Sequence, residues 1–373
     1  MVTDLSYEKV LFIHWGNSGG GPRLLFDLAS AYSAKHGGPT NVSHNANSEV
    51  AKDLEALDIR GVPVTTYRSR VGVLVNTPKL LVNSLRLRRF IVKNDIQIVI
   101  SVMDSIWQSI AVRAYIPADV VYIASVHDAT SHPGDEHLLK NICRRLDLGR
   151  ADMILTFSAS VASLVGAASN VPVRSTVLAA SGGFESVARE RPSPGRFVIG
   201  FFGRIVEYKG LDLLLEAFDI LGKSGCDVIL EIHGNGPIGD LRRQYPSEQI
   251  VWNIGWIPEA SVNSTIRAMD LVVLPYREAS QSGVMTVAMA EGVPVVVTPV
   301  GALPDQVYDS GAGIVASGVD SASIAAAIRT LIDDGDLYEE LSQAAIRSAK
   351  ATYSWKRVVD DIDRYLIEAV NCG

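Results

Sequence analysis

The stretch FVIGFFGRIVEYKGLDLLLEAFDILG, residues 197–222, decides the fold. It opens on a continuous apolar run, turns through Gly203 and Arg204, and enters a segment whose apolar residues recur at helical spacing after Gly210. An apolar run closed by glycine and followed by an amphipathic helix is the building unit of a parallel sheet covered by helices. The unit recurs downstream in DVILEIHG (227–234), IVWNIGW (250–256), LVVLPYR (271–277) and VPVVVTP (293–299), with SVNSTIRAMD (261–270) among the helices between. Upstream, the same alternation predicts strands at KVLFIH (9–14), PVTTYR (63–68), IQIVISV (96–102), VVYIASV (120–126), MILTFS (153–158) and RSTVLA (174–179). Helices are expected between them at 22–37, 79–94, 136–150 and 158–168. Residues 181–196, rich in Gly, Ser, Pro and charge, have the composition of a linker. The expectation is therefore an α/β protein of two doubly wound domains. A last helix, SWKRVVDDIDRYLIEAV (354–370), follows them, and spacing does not say which domain it covers.

A chain of 373 residues exceeds what one hydrophobic core usually fills, and 47% hydrophobic with 20% charged residues is the balance of a folded protein. The start of the chain lacks the basic flank and long apolar stretch of a secretory signal, and nothing elsewhere is long and apolar enough to span a bilayer. A cytoplasmic location is expected, with contact at the inner face of the membrane as an option. Three widely separated cysteines, Cys143, Cys226 and Cys372, imply neither a disulfide framework nor a zinc site. The formal charge of −7 argues against nucleic acid as a partner.

Ligands of open parallel sheets bind beyond the carboxyl ends of the strands, so the informative residues should follow strands. Arg204 and Lys209 do so, and a forked guanidinium with a nearby ammonium suits a diphosphate. After LVVLPYR, the loop EASQSG leads into a helix near Gly283. The amides of Ser282, Gly283 and Val284 should be unpaired there and attract an anion. Glu278 in that loop can accept hydrogen bonds from sugar hydroxyls. The N-terminal HWGNSGGGPR (14–23) permits close backbone approach, yet has neither P-loop nor GxGxxG spacing. HGNGPIGD (233–240) does carry GxGxxG, but the next strand offers Asn253 where a dinucleotide site wants an acid. In VHDATSHPGDEH (126–137), only His127 is expected to face a ligand. The spacing of His127, His132 and His137 matches no common metal motif. DDGD (333–336) and DDID (360–363) read as caps or solvated faces. The helix at 79–93, with Lys79, Arg86, Arg88, Arg89 and Lys93, reads as a domain helix with a basic face, and an anionic membrane surface is the competing use.

Taken in order, GGGPR (19–23), the His-Asp pair at 127–128, GRIVEYKG (203–210), HGNGP (233–237), IGWIP (254–258), REASQSGV (277–284) and AMAEGVPVVVTPVGALPDQV (288–307) resemble the retaining glycosyltransferases of the GT-B fold, family four. The resemblance implies two Rossmann-like domains facing across a cleft: an acceptor domain at 1–186 and a nucleotide-sugar domain at 187–353, with 354–373 crossing back to the first. It implies a hexosyltransferase-type enzyme of polysaccharide biosynthesis acting from a nucleotide-sugar donor on a glycan or lipid-linked acceptor. No metal or other cofactor is expected. Arg204 and Lys209 would grip the diphosphate, Ser282, Gly283 and Val284 would cap it, and Glu278 would bind sugar hydroxyls. Gly20 and Gly21 would match the N-terminal glycine loop and His127 the histidine near the transferred sugar. Gly234, Asn235, Gly255 and Trp256 would enclose the base. The family's usual ribose-binding glutamate is Val287 here. Two other classes share the architecture: a two-domain module that binds a small solute, and a GT-B nucleotide-sugar epimerase.

Overall fold

The computed structural model describes residues 6–66, 77–128, 138–180 and 196–372. They form two compact units, one taking the chain to Val177 together with Trp355 onward, the other Leu178–Ser354. Most of the expected linker, 181–195, lies outside the described residues.

In the first unit the described elements run β1 (Val10–His14), α1 (Gly20–His36), β2 (Thr40–Asn45), α2 (Ala51–Ala56), β3 (Ile59–Val64), α3 (Thr77–Lys93), β4 (Ile98–Ser101), α4 (Ile106–Tyr115), β5 (Val121–Val126), α5 (Leu138–Leu148), β6 (Met153–Thr156), α6 (Ala159–Gly166) and β7 (Val173–Ser175). The seven strands pair in the order β3-β2-β1-β4-β5-β6-β7, all parallel. β1, β4 and β6 are buried throughout because helices cover both faces. β2, TNVSHN, is the strand that apolarity does not reveal. It is buried at every position, and its polar side chains are held by hydrogen bonds, as when Asn41 Nδ2 donates to the carbonyls of Glu8 and Val10. β3 begins four residues before the expected PVTTYR.

The second unit runs β8 (Phe197–Phe202), α7 (Leu211–Lys223), β9 (Val228–Gly234), α8 (Leu241–Gln244), β10 (Ile250–Ile254), α9 (Glu259–Arg267), β11 (Leu271–Leu274), α10 (Gly283–Ala290), β12 (Val295–Val297), α11 (Leu303–Ser310), β13 (Gly313–Val315), α12 (Ser321–Asp333) and α13 (Gly335–Lys350). Its six parallel strands follow the order β10-β9-β8-β11-β12-β13. The core packs Phe197, Ile199, Phe201, Leu214, Phe218, Leu230 and Ile232 against Ile324, Ile328 and Leu331 of α12. In both sheets the strand order reverses beside the first strand, between β1 and β4 and between β8 and β11. That reversal opens the crevice in which such sheets seat ligands.

The last helix, α14 (Trp355–Cys372), packs on α1 of the first unit. Asp360 and Asp363 each meet Lys35 Nζ at 2.6 Å. Asp361 is buried and accepts from Thr176 Oγ1 (2.9 Å), Arg357 and Arg364. DDID is thus an anchor rather than a solvated face, because the helix turns these carboxylates toward basic and hydroxyl partners. In DDGD, Asp334 caps α13, accepting from the Leu337 amide at 2.9 Å. No helix among the described residues is long and apolar enough to cross a membrane.

Candidate functional site

In the second unit the predicted residues collect at the strand-order reversal. β8 ends at Phe202, and the Gly203 amide donates to the His233 carbonyl at 3.0 Å. Here β8 and β9 approach so closely that a Cβ on Gly234 would lie 1.8 Å from the Gly203 carbonyl oxygen, so only glycine fits. The Ile205 amide continues the seam to the Asn235 carbonyl (2.9 Å), and the Gly255 amide donates to that of Gly234 (2.9 Å). Gly234, Asn235 and Gly255 therefore form one continuous rim with the loop that carries Arg204. Trp256, 59% exposed, projects from its end. The GxGxxG segment leads only into the four-residue α8, which lacks the long helix a dinucleotide pyrophosphate needs.

The two cations meet around one side chain. Arg204 Nη2 donates to the Tyr208 hydroxyl at 3.0 Å, and Lys209 Nζ stands 5.3 Å from the centre of the Tyr208 ring. Lys209 Nζ also sits 3.6 Å above the Tyr276 ring centre. The turn bearing Lys209 is pinned to the end of β11. The Arg277 amide donates to the Tyr208 carbonyl (2.7 Å), and the Arg277 guanidinium takes the Glu207 carbonyl (3.0 Å) and both oxygens of Asp212 (2.8 and 2.6 Å). Those bonds from Arg277 hold the Asp212 carboxyl below the usual carboxylate range.

α10 begins beside this cluster: a Cβ on Gly203 would lie 3.9 Å from Val284 Cγ2. Ser282 is its N-cap, accepting from the Met285 amide. One expectation is corrected here. The Ser282 amide is not available to an anion, because it donates to the buried Gln306 Oε1 at 3.0 Å. Among the described residues nothing accepts from the amides of Gly283 and Val284, so these two remain as the anion seat. Glu278 is exposed in the preceding loop, with no side-chain partner among the described residues.

The first unit has its own cluster at the reversal between β1 and β4. His14, 4% exposed, donates from Nδ1 to the Met103 carbonyl (3.0 Å). Burial lowers its pKa to about 4, so its Nε2 carries a lone pair. A Cβ on Gly16 or Gly21 would lie 2.4 or 2.3 Å from that atom, so the glycine loop wraps the imidazole. Gly20 is exposed at the start of α1, whose N-cap, Gly19, supplies no side-chain bond. His127 stacks on Phe157 at 4.3 Å, and its Nε2 pairs with the Val102 carbonyl (3.0 Å). Burial lowers its pKa also. One short loop after β4 thus anchors both histidines. Sequence reasoning missed His14, Tyr208, Tyr276 and Gln306. The signal for His14 was its place at a strand end before glycines, and for Tyr208 its place between the two cations. No three His, Cys, Asp or Glu side chains among the described residues gather as a metal site, and His132 and His137 lie outside those residues.

Residues 196–334 match the family model described as glycosyl transferases group 1. A D-inositol 3-phosphate glycosyltransferase of Corynebacterium kroppenstedtii is 32% identical over 187 residues, which cover 47% of this chain and 41% of that protein. The chain thus spans less than half the length of this curated relative. Over nearly its whole length the structure is similar to a sucrose-phosphate synthase from Thermosynechococcus elongatus (TM-score 0.73, 14% identity, 98% and 99% of the two chains). It is equally similar to the Anabaena protein HepE, solved in complex with UDP and glucose (TM-score 0.73, 18% identity, 96% and 99%). At such identities the likeness shows the fold alone, two Rossmann-like units of the GT-B type. Residues 196–334 are therefore similar to group 1 glycosyl transferases, and the chain as a whole has a GT-B fold.

Proposed function

We propose that the protein transfers a sugar, with retention and without a divalent metal, from a nucleoside-diphosphate sugar held by its second unit to a glycan or lipid-linked acceptor. The observation that carries this reading is the gathering of Arg204 and Lys209 around Tyr208, beside the open amides of Gly283 and Val284. Two fixed cations and a helix N-terminus supply the charge that a departing diphosphate needs. The bond from the sugar's anomeric carbon to the phosphate oxygen breaks, the acceptor oxygen forms its bond on the same face, and the acceptor proton passes to a phosphate oxygen. Glu278 would accept hydrogen bonds from sugar hydroxyls, and the loops at Gly234, Asn235, Gly255 and Trp256 would enclose the base. In the first unit, the loop at Gly20 and Gly21 and the neutral His127 would serve the acceptor and the transferred sugar.

The test is Lys209→Ala, assayed for transfer across a panel of nucleotide-sugars and for folding by circular dichroism. Transfer should be abolished with folding intact, and should persist in chelator for the native protein. Retained turnover in the variant, or dependence of the native protein on added cation, overturns the reading. A product that forms without acceptor would favour the epimerase class, and binding without any turnover the solute-binding class.

A lipid-linked acceptor suits α3. Leu81, Val82, Leu85 and Val92 are exposed on it among Lys79, Arg86, Arg88, Arg89 and Lys93. Apolar and basic side chains interleaved on one exposed face match an anionic bilayer surface.

A further inference from the structure

The two positive side chains next to each other at the end of β11 are held in opposite ways. Arg277 is spent: both oxygens of Asp212 and the Glu207 carbonyl take its guanidinium. Lys209 is not. No carboxylate oxygen of the described residues lies within 4.0 Å of its Nζ, and the group resting under it is the face of Tyr276, at 3.6 Å. An aromatic face attracts an ammonium through its quadrupole while leaving the net charge in place. A carboxylate in the same position would cancel that charge and repel an incoming phosphate.

The ring is suited to this use. Tyr276 is 1% exposed, its carbonyl accepts from Thr298 Oγ1 at 2.5 Å, and the following amide is tied to Tyr208. Its hydroxyl finds no hydrogen-bond partner among the described residues, so the hydroxyl does not fix the side chain in place. We infer that Tyr276 is a positioning residue for the diphosphate: its ring fixes the Lys209 ammonium in the phosphate seat without neutralising it. This inference rests on the reading of Arg204 and Lys209 as diphosphate-binding residues. It adds to that reading a residue that touches no phosphate itself.

The measurable consequence is selectivity for a second phosphate. Binding of UDP and UMP, GDP and GMP, and ADP and AMP is measured by calorimetry, and the pair with the tightest wild-type diphosphate is carried through the variants. Tyr276→Leu should lower the diphosphate-over-monophosphate preference by about tenfold, between the values of an exposed and a desolvated cation–π contact, because Lys209 is half-buried. Tyr276→Phe keeps the ring and should keep the preference to within about twofold of wild type. Lys209→Ala should lose most of the preference, leaving the share due to Arg204 and the helix amides, and adding Tyr276→Leu to it should change nothing further. Replacement of Tyr276 by a ring-fluorinated phenylalanine, which preserves shape and weakens the quadrupole, should act like Tyr276→Leu even if the leucine variant folds poorly.

A purely structural tyrosine would lower Tm in the leucine variant and leave the preference ratio untouched. An unchanged ratio in the leucine or fluorinated variant therefore overturns the inference while the diphosphate reading stands. A wild-type protein that prefers no diphosphate in any pair overturns that reading and this inference together.

Discussion

Asp147→Asn should change how the stability of the first unit depends on pH, with little change in its structure. Asp147 is buried and accepts from the Tyr122 hydroxyl at 2.6 Å, a bond that an asparagine oxygen also accepts. Burial raises the Asp147 pKa to about 7 from an ordinary 3.8. Between those values the folded chain holds a proton that the unfolded chain lacks, so the contribution is full below the lower value and is lost as pH rises to the upper one. His14 runs the other way. Its pKa falls from 6.5 to about 4, so the unfolded chain binds the extra proton and stability is lost as pH falls through that window. From pH 7 to pH 5, Asp147 adds roughly 2 kcal/mol and His14 removes roughly 2 kcal/mol, so the two nearly cancel. Burial also lowers the pKa of His44 and His127, which adds to the His14 side. The assay is urea unfolding at pH 5 and pH 7, followed by fluorescence of the buried Trp15 and Trp107. Asp147→Asn should lose about 2 kcal/mol between pH 7 and pH 5 relative to the native protein. Parallel pH profiles for variant and native protein would refute the assignment of Asp147 as the protonated partner.

Three further outcomes are expected. Gln306→Leu leaves the buried Ser282 amide without its acceptor and should cost about 1–3 kcal/mol in urea unfolding; no measurable cost would show that the amide finds water instead. Gly234→Ala places a methyl 1.8 Å from the Gly203 carbonyl, and because backbone cannot yield as a side chain can, nucleotide binding should fall at least about tenfold in calorimetry. Replacing Arg86, Arg88 and Arg89 by glutamine should abolish co-sedimentation with phosphatidylglycerol vesicles, at about 1 kcal/mol per charge, and leave binding of free nucleotide unchanged.

The parts legible in the sequence are those whose cause is local. Apolar runs such as LVVL and VVV are strands because both faces of a parallel sheet are buried, and Arg204 and Lys209 stand out because they follow such a run. β2 was not legible, because its polar residues are buried by partners distant in sequence: Trp15 Nε1 donates to Ser43 Oγ, and Asn45 Nδ2 donates to Thr66 Oγ1. The Ser282 amide was misjudged for the same reason. A helix N-terminus can be read from Ser-Gly, but the glutamine that occupies its amide lies 24 residues downstream.

Tyr276 shows what this limit means for function. From sequence, Lys209 and Arg277 are alike, each a cation that follows an apolar strand. The structure divides the labour differently: Asp212 takes the arginine and uses it to brace the turn at 207–209, while the tyrosine before it carries the lysine of that turn. A cation that is already neutralised gives rigidity, and a cation held on an aromatic face keeps its field for a ligand. Removing Arg277 should therefore act through loosening of the turn and Tm, whereas removing Lys209 should act on diphosphate affinity at constant Tm.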